Sequence, residues 1–213
     1  MAIQDDASLA MIPAAYGAAK LYSVIPSNGN GDFTHSRTGN ATRVNKGGFI
    51  ETMGSNVPRL DYPLIDGVVQ SCPALLLEPL RNNQHPYSED FSGYAGANFT
   101  VVSDDAISPD GSQNADFIKE NSGLNQKYFY KDSSITSGTE YTQSIFVKSN
   151  GTRYFQITGS TGFSTSMRVN FDLQEGVITL NVGANDASIT KFPNDWYRVS
   201  VTDTADGPVW ELK

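Results

Sequence analysis

The chain of 213 residues is short of cysteine, of histidine, of charge and of long apolar runs, and each shortage excludes something. A single cysteine, Cys72, rules out an internal disulfide framework and a multi-cysteine zinc site. Lying ahead of Pro73 and an apolar run, it is expected to be a buried structural thiol. The two histidines, His35 and His85, stand far apart in turn-rich segments and have no HxH or HxxxH partner, so no metal site is expected. Charged residues make up 18% of the chain, below the usual quarter, and acidic outnumber basic by 23 to 15, a net charge of −8. Without a basic stripe, a nucleic-acid partner is not expected. No stretch approaches the roughly 18 apolar residues of a membrane-crossing helix, so no membrane insertion is expected. The first ten residues, which include Asp5 and Asp6, carry no signal-peptide pattern, and synthesis in a cytoplasm is inferred. No segment sustains a 3.6-residue period. The Ala-rich residues 14–20 could form one or two helical turns, limited by Pro13 and Gly17.

The shortfall is filled by Ser, Thr, Asn and Gly, a composition that favours strands and turns. Residues 167–173 alternate apolar and polar side chains, the period of a strand with one face in a core. Gln174-Glu175-Gly176 then turns the chain into residues 177–180. Residues 196–202 alternate again, with Tyr197, Val199 and Val201 facing inward and Trp196 facing outward. Residues 141–148 and 153–158 read as strands joined by a hairpin at Asn150-Gly151. Shorter candidates lie at 116–119 and 126–131. Short strands at such spacing indicate an antiparallel sandwich.

The chain is expected to divide into residues 1–90 and 91–213. The first region reads as an irregular, extended segment with short hairpins, including one formed by residues 41–45 and 49–52 around Gly47-Gly48. Residues 74–79 read as a short buried strand ended by Pro79. Backbone ordering costs about 1–2 kcal/mol per residue, and a fully buried aliphatic side chain returns about 1.5–3 kcal/mol. The first region has too few apolar positions facing one interior to balance this, so other protein surfaces are expected to complete it. A compact centre of its own, with a pocket of converging ionisable groups, would contradict that expectation.

A series of short blocks carries a resemblance. Ser8-Leu9-Ala10-Met11-Ile12-Pro13, Lys20-Leu21-Tyr22-Ser23-Val24-Ile25-Pro26, Gly31-Asp32-Phe33-Thr34, Ala41-Thr42-Arg43-Val44-Asn45, Ile50-Glu51-Thr52, Asn56-Val57-Pro58-Arg59-Leu60-Asp61-Tyr62, Cys72-Pro73-Ala74-Leu75-Leu76-Leu77-Glu78-Pro79 and Tyr87-Ser88-Glu89-Asp90-Phe91 resemble, in order and spacing, the leader of tail-fibre and head-spike proteins of tailed bacteriophages. Ser108-Pro109-Asp110-Gly111, Tyr141-Thr142-Gln143-Ser144-Ile145-Phe146-Val147-Lys148 and Asp195-Trp196-Tyr197-Arg198-Val199-Ser200-Val201-Thr202 resemble the jelly-roll, carbohydrate-binding-module-like sandwich that follows such leaders. The resemblance implies an all-β, non-enzymatic virion component without cofactors. Its first region would anchor to capsid, portal, tail or fibre proteins, and it would form homotrimers. Contacts are expected from Leu9, Ile12, Leu21, Tyr22, Val24 and Ile25. Similar sandwiches continue for further strands beyond the Trp-Tyr-Arg strand, whereas only residues 209–213 remain here.

Exposed aromatic rings stack on the apolar faces of sugars, and Trp196, Tyr154, Tyr128 and Tyr130, with Trp210, are the candidates for contact with host-surface glycans. The alternative is a carbohydrate-binding module of a secreted or virion-associated polysaccharide-degrading enzyme. Catalysis ranks last. His35 adjoins Ser36, but no G-x-S-x-G elbow is present. The pairs Asp5-Asp6, Glu89-Asp90 and Asp104-Asp105 are sequence neighbours, which point to opposite faces of a strand. A Ca²⁺ site from Asp104, Asp105 and Asp110 is the one metal arrangement the carboxylates offer, against ordinary turn formation.

Overall fold

The computed structural model describes residues 7–85, 88–159, 162–163, 167–207 and 209–211; the side chains of 12–14 and 209–211 lie outside that description. The fold is all-β. Strands pair antiparallel, and the described residues contain no α-helix, only a 3-10 turn at Pro193–Asp195. The chain divides into two compact units, residues 1–80 and 81–213.

In the first unit β1 (Ala10–Gly17), β2 (Lys20–Ile25) and β3 (Phe33–Thr34) form a three-stranded sheet. The Ala-rich stretch is therefore strand and tight turn, not helix. Gly17 pairs with Lys20, Ala18 and Ala19 make the turn, and Ala19 takes a positive φ of 59°. β4 (Ala41–Val44) and β5 (Ile50–Met53) form the expected hairpin, with Ala41 opposite Met53. Its turn is set by Asn45, whose Oδ1 accepts the backbone N–H groups of Gly47 and Phe49 at 2.8 and 3.1 Å. β6 (Leu60–Asp61) pairs with β9 (Ala74–Leu75), and β7 (Leu64–Ile65) with β8 (Val68–Val69).

No hydrophobic cluster forms among the described residues of this unit; Leu21, Pro58 and Leu60 are its buried apolar side chains. Polar bonds to the backbone stand in for a core. The Arg37 guanidinium donates to the carbonyls of Gly39, Met53 and Gly54 at 2.6, 3.1 and 2.5 Å. Arg43 donates to Leu60 O, Arg59 to Thr42 O, and Asp61 accepts the Val44 N–H at 2.7 Å. Two expectations fail here. Residues 74–79 do not bury: β9 pairs only with the two residues of β6, and Leu77 is 74% exposed. Cys72 is exposed, in the loop leading into β9, where no apolar cluster forms among the described residues of the unit to receive it.

The second unit contains β10 (Ala95–Ala97), β11 (Phe99–Ile107), β12 (Gln113–Glu120), β13 (Tyr128–Tyr130), β14 (Asp132–Ser134), β15 (Glu140–Lys148), β16 (Tyr154–Thr158), β17 (Arg168–Asp172), β18 (Val177–Val182), β19 (Asp186–Lys191), β20 (Trp196–Thr204) and β21 (Val209–Glu211). β11 and β12 make a long irregular hairpin, while β10 pairs with β13 and β14 with β21. Two three-stranded sheets, β15-β20-β19 and β16-β17-β18, share one core. Ile157, Met167, Val169, Phe171 and Leu173 of one sheet and its flanks meet Tyr197, Val199 and Val201 of the other. The odd-numbered residues of 167–173 are all buried, as their alternation predicts.

The Asn150-Gly151 turn, however, does not close a hairpin. β15 pairs with β20 and β16 with β17, so residues 149–153 carry the chain from one sheet to the other. Ser149 Oγ donates to Thr152 O at 2.7 Å and shapes that corner. Alternation on both flanking strands requires burial of one face of each, and two facing sheets supply this as well as one sheet does.

Candidate functional site

The aromatic candidates fall into three situations. Trp196 is not outward-facing. It is 9% exposed, and its indole N–H donates to the Ile107 carbonyl at 3.1 Å. The end of β11 thus covers the outer face of β20, and the Phe146 and Phe192 rings meet edge-to-face at 5.0 Å. Trp196 and Tyr197 are both enclosed because this part of the sheet is covered on both sides. Trp196 offers no free face for a sugar. Trp210 lies on β21, and its side chain is outside the described residues.

Tyr128 and Tyr130 are brought together. Two apart on β13, they share one face, and their rings stack at 6.2 Å with a 23° tilt, both part-exposed. Phe129 points the other way, into a cluster with Phe91, Tyr94 and Phe99 at centroid distances of 5.9, 6.0 and 6.0 Å. Across the ladder Gly96 faces Phe129 with φ of 155°. A Cβ there would sit 2.1 Å from the Tyr128 carbonyl oxygen, so only glycine lets the two strands close. His85 stacks on Tyr94 at 6.4 Å, and its Nε2 lies 3.2 Å from Ser133 Oγ. Burial, and then the nearby Lys131 charge, lowers the imidazole pKa.

Tyr154 stands on β16, in a different sheet from that pair, and is 57% exposed. The Arg153 guanidinium lies 5.2 Å from its ring centroid. Arg153 is itself held by Asp172, whose Oδ2 accepts from Nε at 2.9 Å and Nη2 at 2.6 Å, while Oδ1 accepts the N–H groups of Gln174 and Glu175. The Arg153 hydrogen bonds hold the Asp172 carboxyl below its ordinary pKa, and the two backbone donors add to this. An enclosed carboxylate thus steadies the cation beside an exposed ring. This aspartate sits at a polar position of the alternating run and gave no sequence signal beyond that.

The contact candidates of the first unit divide by strand parity. Tyr22 and Val24 are exposed, as is Leu9 ahead of β1; Ile25 is half-buried. Leu21 is buried within the unit itself and is not available as a surface contact, because β2 alternates and Leu21 takes the inner face. Ile12 lies on β1, with its side chain outside the described residues. Phe33, Ile65, Val68, Leu77 and Leu80 are further exposed apolar side chains of this unit that the sequence reading did not single out.

Of the carboxylate candidates, Asp90 and Asp110 serve turns. Asp110 accepts from Ser108 Oγ and the Ser112 N–H, both at 2.7 Å, and the Ser108 bond leads in lowering its pKa. No group of three or more His, Cys, Asp or Glu among the described residues could hold a metal ion. Asp5 and Asp6 lie outside the described residues. A cleft of about 190 Å³ in the first unit is lined by His35, Ser36, Arg37, Arg59, Leu76, Leu77 and Glu78. Of the features that would contradict an incomplete first region, the pocket with ionisable side chains is present, whereas no cluster of buried apolar side chains forms among the described residues. Glu78 is committed to Arg59 at 2.6 Å and is not placed as an orienting group for His35.

No protein-family model fits the chain, and no curated protein is significantly similar to it.

Proposed function

We propose that this protein is a structural component of a bacteriophage particle, a tail or head fibre, spike or decoration subunit, made in the bacterial host cytoplasm and located in the virion. The observation that carries the reading is the contrast in burial. The first unit exposes Leu9, Tyr22, Val24, Phe33, Ile65, Val68, Leu77 and Leu80 and gathers no apolar cluster among its described residues, which fits a region completed by other protein surfaces. Those surfaces are sister subunits in a homotrimer and the neighbouring virion proteins. The resemblance of its sequence blocks to virion leaders supports the same assignment. The sandwich is read as a jelly roll that faces outward, and no catalytic role is assigned to it.

Sedimentation of the purified full chain tests the anchoring role. A concentration-dependent trimer is expected, with residues 1–80 gaining hydrogen-exchange protection on association. A monomer whose first unit is already fully protected would overturn the reading.

Glycan adhesion is the second part of the proposal. It rests on the stacked Tyr128 and Tyr130 rings and on the exposed Tyr154 ring, which suit weak, multivalent sugar contacts. Binding on a glycan array, lost in Tyr154→Ala or in Tyr130→Ala, is the expected result. Absence of binding by the assembled oligomer would reduce the sandwich to an adaptor. Sugar binding by a monomer with no trimer would favour a carbohydrate-binding module of a polysaccharide-degrading enzyme instead.

A further inference from the structure

β15 pairs with β20 along its whole length, and among the described residues no strand lies on its other side. In an antiparallel ladder alternate residues turn their N–H and C=O groups to opposite sides, so half of the β15 backbone faces away from β20. Of the edge strands of the two facing sheets it is the longest, nine residues against five in β16 and six in β18 and β19. It is also regular. One register holds throughout the β15–β20 ladder, whereas the β1–β2, β11–β12 and β17–β18 ladders are broken by shifts. Residues 141–147 include no charged residue, glycine or proline. Natural sheets blunt such edges with bulges, prolines or inward charges, and this stretch uses none of them. Its inner side chains are left open as well. Ile145 and Val147 stand opposite the enclosed Val199 and Tyr197, yet are themselves only half-buried.

The charges at its ends point to the occupant. Glu140 and Lys148 are both exposed, and neither has an ion pair or hydrogen bond among the described residues. Within the sheet they face uncharged neighbours, Thr204 and Trp196. A second β15 running antiparallel and centred on Ser144 would set Glu140 opposite the partner's Lys148, and Lys148 opposite the partner's Glu140. The same register keeps inner side chains on one face, with Ile145 opposite the partner's Gln143 and Val147 opposite the partner's Tyr141. A parallel, in-register pair would instead set like charges side by side at both ends, which is destabilising. We propose that β15 is a self-pairing edge, through which two copies of this chain join their three-stranded β15-β20-β19 sheets into one continuous antiparallel sheet. This goes beyond the virion assignment and does not depend on it. The contact is two-fold symmetric and so lies outside any three-fold interface, joining free chains or subunits of neighbouring trimers.

The test combines sedimentation of the full chain with amide hydrogen exchange, under reductant because the exposed Cys72 could otherwise link chains. A concentration-dependent, even-numbered species is expected, with alternate β15 amides protected only where it forms. Glu140→Lys and Lys148→Glu should each weaken the pairing roughly tenfold, since two opposite-charge pairs become two like-charge pairs. The double variant Glu140→Lys, Lys148→Glu restores both pairs with polarity reversed and should recover the original association constant. Single variants that leave the constant unchanged, a double variant as weak as the singles, or β15 amides already protected in the monomer would overturn the proposal. A trimer whose β15 edge stays unprotected overturns this inference and leaves the virion reading standing; a dimer with no trimer does the reverse. The exchange readout on the unmodified chain stands even if a single variant fails to fold.

Discussion

In the second unit Val169, Phe171 and Val199 are fully enclosed, and side chains of two sheets close around them. In the first unit the enclosed apolar side chains, Leu21, Pro58 and Leu60, join no cluster, and arginine side chains bonded to main-chain carbonyls bridge its hairpins. Both regions are strands and turns, but they are held by different forces. Apolar burial is non-directional and roughly proportional to area, so it favours long strands with a continuous inner face. Arginine-to-carbonyl bonds are directional and need no continuous face, so they serve two-residue strands such as β6 to β9. A stretch too broken to build a core can still be ordered, at the expense of leaving its apolar side chains on the surface.

The sharpest way to break this comparison is a pair of truncations. Phe171→Ala should destabilise the second unit by about 3–5 kcal/mol in denaturant unfolding. Val24→Ala in the first should stay within about 0.5 kcal/mol. Arg37→Ala should abolish hydrogen-exchange protection around residues 53–57 while leaving the sandwich intact. If Val24→Ala proves as damaging as Phe171→Ala, the first unit has an apolar core after all. Gly96→Ala comes next. With backbone 2.1 Å from the added carbon, the β10–β13 ladder should open at a cost of about 1–3 kcal/mol, and the near-ultraviolet signal of the Tyr128–Tyr130 stack should fall.

A smaller effect depends on pH. The folded pKa of Asp172 is depressed, so the unfolded chain binds the proton first. Its contribution is complete above the unfolded carboxylate value of about 3.9 and is lost as pH falls through the lower folded value. Unfolding midpoints measured from pH 7 to pH 2 should therefore drop in that window, and Asp172→Asn should flatten the drop. The last expected effect is a gain. Gln143 is enclosed on β15 with neither end of its amide hydrogen-bonded, and Gln143→Leu should raise stability by about 1 kcal/mol. A loss on that substitution would reveal a polar partner for the amide.

Legibility followed the same division. Residues 167–173 and 196–202 announced their strands and inner faces, because a core imposes a period of two. The hairpin of β4 and β5 was readable from its turn residues. The sheet change at residues 149–153 was not, since Asn-Gly specifies a local backbone shape and not which strand the chain pairs with next. Nor was the burial of Trp196, which depends on a carbonyl 89 positions away along the chain. The ties made by Arg37, Arg43 and Arg59 left no pattern, because a backbone acceptor has no sequence identity. Of the aromatic candidates, the shared face of Tyr128 and Tyr130 follows from their spacing, whereas the support of Tyr154 through Arg153 and Asp172 emerges only in three dimensions.

The grip of Arg37 on its carbonyls has a consequence for how the molecule fails. Its acceptors here are main-chain carbonyl oxygens, not carboxylates. A solute that imitates the same cation, free guanidinium ion, competes for those oxygens directly and should undo the amino-terminal unit well before it dissolves the sandwich.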